Sequence, residues 1–185
     1  MLFRDCGSYY RKGYAPVNVA MISVPPMDAH GYFSYSLTNC CTQEVLDAAD
    51  HIILEVNENL PVIYGMEGDH IHISQVEYVV EGQKDVGLAP GGEATEVDRQ
   101  IAGHIFPYLY DGITLQLGIG GMPNALGGLI ADSDLKDIGC HTGTISDAFM
   151  TLYQAGKLTN ARKELDTGLS AWNLAMGSQE LFDWL

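Results

Sequence analysis

Apolar and polar residues follow one another along the chain in a pattern that predicts strands alternating with helices. In the first half of the chain, strands are predicted at residues 17–24, 31–37, 51–56 and 76–82. The first of these, VNVAMISV, is apolar and rich in β-branched residues and ends at Pro25, which predicts a buried strand. The last is predicted as an edge strand. Residues 41–50 have apolar positions at helical spacing behind a cap-like Thr42, which predicts a helix.

The second half continues the alternation after a stretch rich in Gly, Pro and charge, which predicts a linker near residues 82–95. Beyond it, helices are predicted at 96–110, 122–131 and 146–158, and strands at 112–121 and 137–142. Strands that alternate with helices indicate an α/β fold with a parallel sheet. The last eight residues, SQELFDWL, carry Leu181, Phe182 and Trp184. We expect these three side chains to be exposed, as in a helix that has been cut.

The composition of the chain argues against two classes of binding partner, nucleic acids and membranes. The formal net charge is −15 and there is no basic stripe, so a nucleic-acid partner is not expected. No apolar run reaches the ~18 residues that a membrane span needs. The four cysteines, which include adjacent Cys40 and Cys41, form no CxxC pair, so we expect a cytoplasmic protein with reduced thiols. One basic cluster is present and is predicted to lie on the surface at a helix C-terminus: Lys157, Arg162 and Lys163.

The strongest local motif is LQLGIGGMPNAL at 115–126, where a predicted strand enters a glycine turn that opens a helix. Glycines at 118, 120 and 121 allow a sharp turn, and the start of the helix favours an anion or a developing oxyanion. The dinucleotide fingerprint fails because Pro123 stands where its third glycine belongs. The P-loop motif is absent as well. A plain tight turn between strand and helix remains the alternative.

Two further groups of polar residues are candidates for a metal site or a substrate contact. His70 and His72 lie two apart beside Asp69 and could bind a metal, but no third ligand is evident. A hydrogen-bonded structural pair is therefore favoured, and no metal site is predicted. Asp28 and His30 lie in a loop between two predicted strands. They could contact a substrate, although the sequence favours a role in forming the turn.

Four segments resemble, in order, the acetyl-CoA hydrolase/transferase family of CoA-transferases. They are SVPPMDAHGYFSYS, HIILEVNENLP, DGITLQLGIGGMPNAL and HTGTISDAFM. The resemblance implies an α/β fold of the NagB/RpiA/CoA-transferase type, with parallel sheets, flanking helices and parts of two similar domains. Residues 1–90 are expected to be the later part of the N-terminal domain. Residues 91–185 are expected to be the early part of the C-terminal one, so that the chain is an internal piece.

The resemblance also implies a chemistry. In the family, a glutamate attacks an acyl-CoA thioester, forms a glutamyl-CoA intermediate and passes CoA to a carboxylate. The implied substrates are butyryl- or 4-hydroxybutyryl-CoA and acetate, in acetate, butyrate and fatty acid metabolism. Coenzyme A is then part of a substrate rather than a permanently bound cofactor, and the full-length family is expected to form homo-oligomers. The implied CoA-contacting and oxyanion loop consists of Gly118, Ile119, Gly120, Gly121 and Met122.

The sequence departs from the family at the nucleophile. The family motif reads His-Thr-Glu followed by Ser-Asp, whereas this chain has His141-Thr142-Gly143 followed by Ser146-Asp147. The resemblance thus puts Gly143 at the nucleophile position, and we expect the chain alone to be inactive. Three alternatives remain open. They are an inactive partial copy of a CoA-transferase, a module that binds CoA without turnover, and a partner that completes another chain.

Overall fold

The computed structural model describes residues 2, 5–66 and 68–185. The chain divides into two units, Met1–Gly87 and Leu88–Leu185. None of the helices in the described part of the chain is both long and apolar enough to span a bilayer. Which part of a family domain each unit represents stays a prediction.

The first unit contains a three-stranded parallel sheet. Its strands are β1 (Val17–Val24), β3 (Ala49–Asn57) and β5 (Tyr78–Gly82), in the order β1-β3-β5. Helix α2 (Thr42–Asp47) lies between β1 and β3 in sequence and contacts both strands, as expected of a crossover in a parallel sheet. The parallel α/β class is confirmed, and β5 is at the edge of this sheet as predicted.

Strand β1 is buried on one face only, so the prediction of a buried strand holds for one of its two faces. Ala20 and Val24 are buried, whereas Val19 is 48% and Met21 is 72% exposed. Side chains on a strand alternate between the two faces of the sheet, and the core covers one of these faces here. The apolar sequence of β1 therefore did not predict which face of the strand is exposed to solvent.

The remaining elements of this unit are α1 (Cys6–Arg11) and an antiparallel pair, β2 (Tyr32–Ser34) and β4 (His70–His72). Strand β2 is shorter than the predicted 31–37, because Tyr35 and the residues after it leave the pairing. The core collects apolar side chains from both sheets and from α2: Ala20, Val24, Phe33, Tyr35, Leu46, Ile52, Leu54 and Ile71.

The second unit alternates short parallel strand pairs with helices. Its elements are α3 (Glu96–Ile105), β6 (Thr114–Leu115), α4 (Gly121–Ala131), β7 (Gly139–Cys140), β8 (Thr144–Ile145), α5 (Asp147–Gln154), β9 (Leu174–Ala175) and α6 (Gln179–Trp184). Strands β6 and β7 pair in parallel, as do β8 and β9. In each pair the intervening segment contains a helix, α4 or α5. A 3₁₀ turn at Phe106–Tyr108 follows α3, so the helix ends earlier than the predicted residue 110.

The final helix packs into the second unit. Leu181 is fully buried and Phe182 is 3% exposed, so the expectation that these side chains are exposed was wrong. Trp184 is partly buried, and its ring lies 5.1 Å from that of Tyr153. The apolar positions of α6 therefore face the core formed with α5.

Candidate functional site

The glycine turn leaves its backbone N–H groups free. Leu117 is buried, Gly118 and Ile119 are exposed, and α4 begins at Gly121. Gly120 precedes the helix with φ 129°, a backbone conformation that side chains other than glycine rarely adopt. None of the N–H groups of residues 118–122 donates a hydrogen bond to another described residue. These donors are available at the positive end of α4.

Residues of the predicted linker pack against the glycine turn. The side-chain amide of Asn124 donates to the carbonyl of Gly91 at 3.3 Å. A Cβ atom at position 121 would lie 3.0 Å from the Cα of Ala94 and 3.1 Å from the carbonyl oxygen of Glu93. Residues 91–94 therefore form a wall against the start of α4, and a side chain at position 121 would require this backbone to shift by a few tenths of an ångström.

A carboxylate lies beside this wall. The Asp98 Oδ2 atom would be 2.7 Å from a Cβ atom at position 121. The hydroxyl and the backbone N–H of Thr95 donate to Asp98, and these hydrogen bonds lower the pKa of its carboxyl group. An ionised carboxylate here opposes a phosphate dianion at the turn more than it opposes a neutral carbonyl oxygen.

The fold brings the His141-Thr142-Gly143 stretch next to the glycine turn. Strand β7 runs parallel to β6, and the N–H of His141 donates to the carbonyl of Leu115 at 3.0 Å. One residue later, the Thr142 hydroxyl lies 3.3 Å from the carbonyl oxygen of Leu117, the residue before the turn. Two segments that are more than 20 residues apart in sequence are thus adjacent at the ends of their strands.

Gly143 is exposed to solvent, and there is space for a side chain at this position. A Cβ atom at this position would have no heavy atom within 4 Å, apart from its chain neighbours, and its φ lies outside the left-handed region. Its carbonyl accepts hydrogen bonds from the N–H groups of Asn173 and Leu174, each at 3.2 Å. A side chain can therefore be placed at position 143 while the backbone remains fixed.

The Ser-Asp pair that follows has a structural role at Asp147. Its carboxylate accepts the hydroxyl of Ser178 at 2.6 Å and the N–H of the same residue at 3.2 Å. Ser146 is 2% exposed, and its hydroxyl has no hydrogen-bond partner among the described residues. The Asp147 side chain is thus held by hydrogen bonds to the residue that precedes α6.

The basic cluster is placed differently from its prediction. Lys163 is buried, and its Nζ donates to the carbonyls of Cys140 at 2.9 Å and Leu169 at 2.6 Å. Burial raises the pKa of the Cys140 thiol to about 12. Lys163 therefore anchors the strand that leads to Gly143, a role that the sequence did not indicate.

The other two members of this cluster have partners as well. Lys157 donates to the carbonyl of Ser133 at 2.6 Å, and Arg162 pairs with Asp137 at 2.7 Å. The surface prediction was thus wrong for Lys163, and the cluster as a whole is tied into local structure.

The histidine pair has hydrogen-bond partners of its own. His70 contacts the Asp69 carboxylate, and His72 Nδ1 lies 2.8 Å from the hydroxyl of Ser74. Both rings pack against Tyr32, with centroids 4.8 and 4.9 Å away. Among the described residues, no group of three His, Cys, Asp or Glu side chains could hold a metal ion. The absence of a functional metal stays a prediction.

Asp28 forms the turn that the sequence favoured. Its Oδ1 accepts hydrogen bonds from the N–H groups of His30 and Tyr32, each at 2.8 Å. The bond from Tyr32 is the main cause that lowers the pKa of the Asp28 carboxyl group. Gly31 completes the turn with φ 90°.

The first unit also has a cavity of about 300 Å³ that the sequence did not indicate. Its polar lining comes from Ser23, Ser36, Thr38 and Thr42. Ser36 has φ 57°, in the left-handed region, and its hydroxyl donates to the carbonyl of Pro61 at 2.7 Å. A volume of this size is at the lower end of small-molecule sites.

Comparison with known proteins identifies relatives along the whole chain. Residues 1–89 match the acetyl-CoA hydrolase/transferase N-terminal domain. A butyryl-CoA:acetate CoA-transferase of Anaerostipes caccae is 43% identical over 185 residues, which cover 99% of this chain and 42% of that protein. The structure of RipA from Yersinia pestis matches with a TM-score of 0.93 at 33% identity, over 100% of this chain and 42% of that one. A 4-hydroxybutyrate CoA-transferase of Porphyromonas gingivalis matches with a TM-score of 0.91 at 28% identity, over 98% and 46%.

The parallel α/β fold matches that of solved CoA-transferase structures. Residues 1–89 match the N-terminal domain of the acetyl-CoA hydrolase/transferase family, so the resemblance that the sequence predicted is confirmed. The chain spans about 42% of the length of the curated relative from Anaerostipes caccae.

Proposed function

We propose that this chain forms the thioester-binding part of a CoA-transferase for short-chain acyl-CoA and acetate, and that Gly143 stands at the nucleophile position. The observation that carries the proposal is the contact of the Thr142 hydroxyl with the carbonyl of Leu117. It puts position 143 beside the free N–H groups of the glycine turn. Support for the substrate class comes from the relative that is a butyryl-CoA:acetate CoA-transferase.

The arrangement suits attack on a thioester. When a carboxylate attacks the carbonyl carbon, the carbonyl oxygen gains negative charge, and preorganised N–H donors stabilise it. One such donor is typically worth about 100- to 1000-fold in rate. The free N–H groups of residues 118–122 provide these donors. The nearby Asp98 carboxylate favours a neutral carbonyl over a phosphate in the same place.

The attacking group is what the chain lacks. Gly143 has no side chain, so it can form neither an acyl anhydride nor a glutamyl-CoA thioester. Asp147 does not substitute for it, because its carboxylate is held by Ser178. The open space at position 143 nevertheless admits a glutamate. The chain as it stands therefore lacks the group that would carry the covalent step.

Restoring the carboxylate tests this assignment. Each protein is incubated with butyryl-CoA and treated with hydroxylamine, which converts a glutamyl thioester into a hydroxamate, and the peptide containing residue 143 is examined by mass spectrometry. We expect the hydroxamate in a Gly143→Glu protein completed with the remaining segments of a longer relative. We expect none in the bare Gly143→Glu chain, in the unmodified chain, or in Gly143→Gln, the matched control without a charge. An adduct on the unmodified chain would contradict the proposal. A completed Gly143→Glu protein that binds CoA in calorimetry but forms no adduct counts equally against it.

Binding of CoA without turnover is the second candidate, because the glycine turn keeps its donors while position 143 has no carboxylate. Isothermal titration of the unmodified chain with CoA distinguishes it from a chain that has lost both functions. Completion of another chain is the third alternative, and it requires co-purification with a longer homologous subunit. That experiment is independent of the titration.

A further inference from the structure

Two cysteines that are far apart in sequence meet in the first unit. Cys6 begins α1, and Cys41 is the residue immediately before α2. Their sulfur atoms are 3.2 Å apart, with Cys41 donating its S–H to the sulfur of Cys6. Neither residue belongs to the glycine turn or to the segment around Gly143.

The helices that carry these thiols are also joined at a second point. Arg11, at the end of α1, pairs with Glu44 of α2 at 2.6 Å. The two helices pack against each other. A disulfide is about 2.05 Å long, so the sulfurs need to approach by roughly 1 Å more. The packing of the two helices therefore holds the two thiols close together before any bond forms between them.

At rest, the Cys41 thiol is protonated. Burial, followed by the hydrogen bond with Cys6, raises the pKa of the Cys41 thiol to about 11. Burial also raises the pKa of the adjacent Cys40. At neutral pH, Cys41 is thus a thiol rather than a permanent thiolate, and a bond between the sulfurs requires an oxidant.

We propose that Cys6 and Cys41 form a reversible dithiol–disulfide couple, oxidised by a hydroperoxide. One sulfur attacks the peroxide oxygen, the O–O bond breaks, and a sulfenic acid and one water result. The second sulfur attacks the sulfenic sulfur and displaces hydroxide, which leaves as water with the remaining proton. Two thiols and one hydrogen peroxide thus give one disulfide and two waters. A small dithiol reductant restores the thiols by exchange.

Peptide mapping of the unmodified chain tests the couple directly. The protein is treated with hydrogen peroxide, free thiols are blocked with iodoacetamide, and the digest is analysed with and without dithiothreitol. We expect a peptide pair joined through Cys6 and Cys41 that dithiothreitol separates. A Cys40–Cys41 bond, a link between two chains, or no disulfide at all would overturn the proposal.

Cys40 provides the matched control, because it neighbours Cys41 and is similarly half-buried. We expect Cys40→Ser to form the disulfide as the unmodified chain does, and Cys6→Ser and Cys41→Ser to lose it. Phenylarsine oxide, which binds paired thiols, gives a second readout on the reduced proteins. It should bind the unmodified chain and Cys40→Ser about equally and bind the other two variants at least about tenfold more weakly. Equal binding to all four proteins would contradict the pairing.

Discussion

Two serines precede helices in the second unit, and their hydroxyl groups differ in what they bond. The hydroxyl of Ser178 accepts the N–H of Leu181 at 3.2 Å and donates to Asp147 at 2.6 Å. The hydroxyl of Ser146 has no partner among the described residues, although the residue is buried. Because both occupy the position before a helix, they are a matched pair for measuring what a capping hydroxyl contributes.

We expect Ser178→Ala to lower the free energy of unfolding by about 1–2 kcal/mol, because it removes a cap and the hydroxyl that donates to Asp147. Ser146→Ala should change it by less than about 0.5 kcal/mol or raise it, since the hydroxyl it removes is buried without a bond. Urea unfolding followed by circular dichroism measures both. A loss in Ser146→Ala equal to that in Ser178→Ala would show that Ser146 has a partner in solution.

At the scale of elements, one glycine immediately before α4 and one inside it have open surroundings but different backbone conformations. Neither Gly120 nor Gly128 would bring a Cβ atom within 4 Å of a neighbour. Gly120 has φ 129°, whereas Gly128 lies inside the helix. We expect Gly120→Ala to strain the turn by about 1–3 kcal/mol and to weaken CoA binding at least about tenfold. Gly128→Ala should stabilise the helix by up to about 1 kcal/mol and leave binding unchanged.

Isothermal titration with CoA and urea unfolding, applied to both variants, separate these effects. A Gly120→Ala protein that binds CoA as the unmodified chain does would remove the turn from the proposed site. A Gly128→Ala protein that loses binding would instead indicate that any change in α4 disturbs the site, and the comparison would no longer support the turn.

The sequence predicted some elements better than others for a physical reason. Strands β1 and β3 were predicted closely because each contains its own stretch rich in apolar, β-branched residues. Strands β6 and β7 were predicted within 112–121 and 137–142 but are only two residues long, because only these residues pair with the neighbouring strand. Hydrophobic periodicity is a local signal and does not record such pairing.

The same limit applies to the candidate site. The glycine turn was recognisable because the φ of Gly120 requires a particular residue type, which the sequence shows directly. Lys163 was not, because its two carbonyl partners depend on how the chain folds around it. Composition predicted that residues 91–94 belong to a linker, although a hydrogen bond from the Asn124 side chain holds this segment against α4.

At the scale of the whole molecule, the open face of the three-stranded sheet shapes how the protein behaves in solution. In register across the sheet lie Met21, Ile53 and Tyr78, of which Met21 is 72% and Tyr78 is 62% exposed. Exposed apolar rows of this kind promote association. The net charge of −15 opposes it at low salt, because like-charged molecules repel one another.

We expect the unmodified chain to self-associate in light scattering, more strongly at 0.5 M than at 0.05 M salt, because salt screens the repulsion. Met21→Lys should reduce the associated fraction severalfold. Tyr64→Lys is the control, since Tyr64 is 89% exposed but lies outside the three strands. A monomer at every salt concentration, or equal effects of the two variants, would contradict a role for the sheet face.

The contrast between Gly121 and Gly143 bears on mutational tolerance. At position 121 a side chain would require the neighbouring backbone to shift by a few tenths of an ångström, so folding restricts the choice of residue there. At position 143 neither sterics nor backbone conformation imposes that restriction. Selection for a folded chain would accept many residues there, and a glutamate is among those the fold can hold. The residue found at position 143 is therefore a property of this sequence and is not dictated by its architecture.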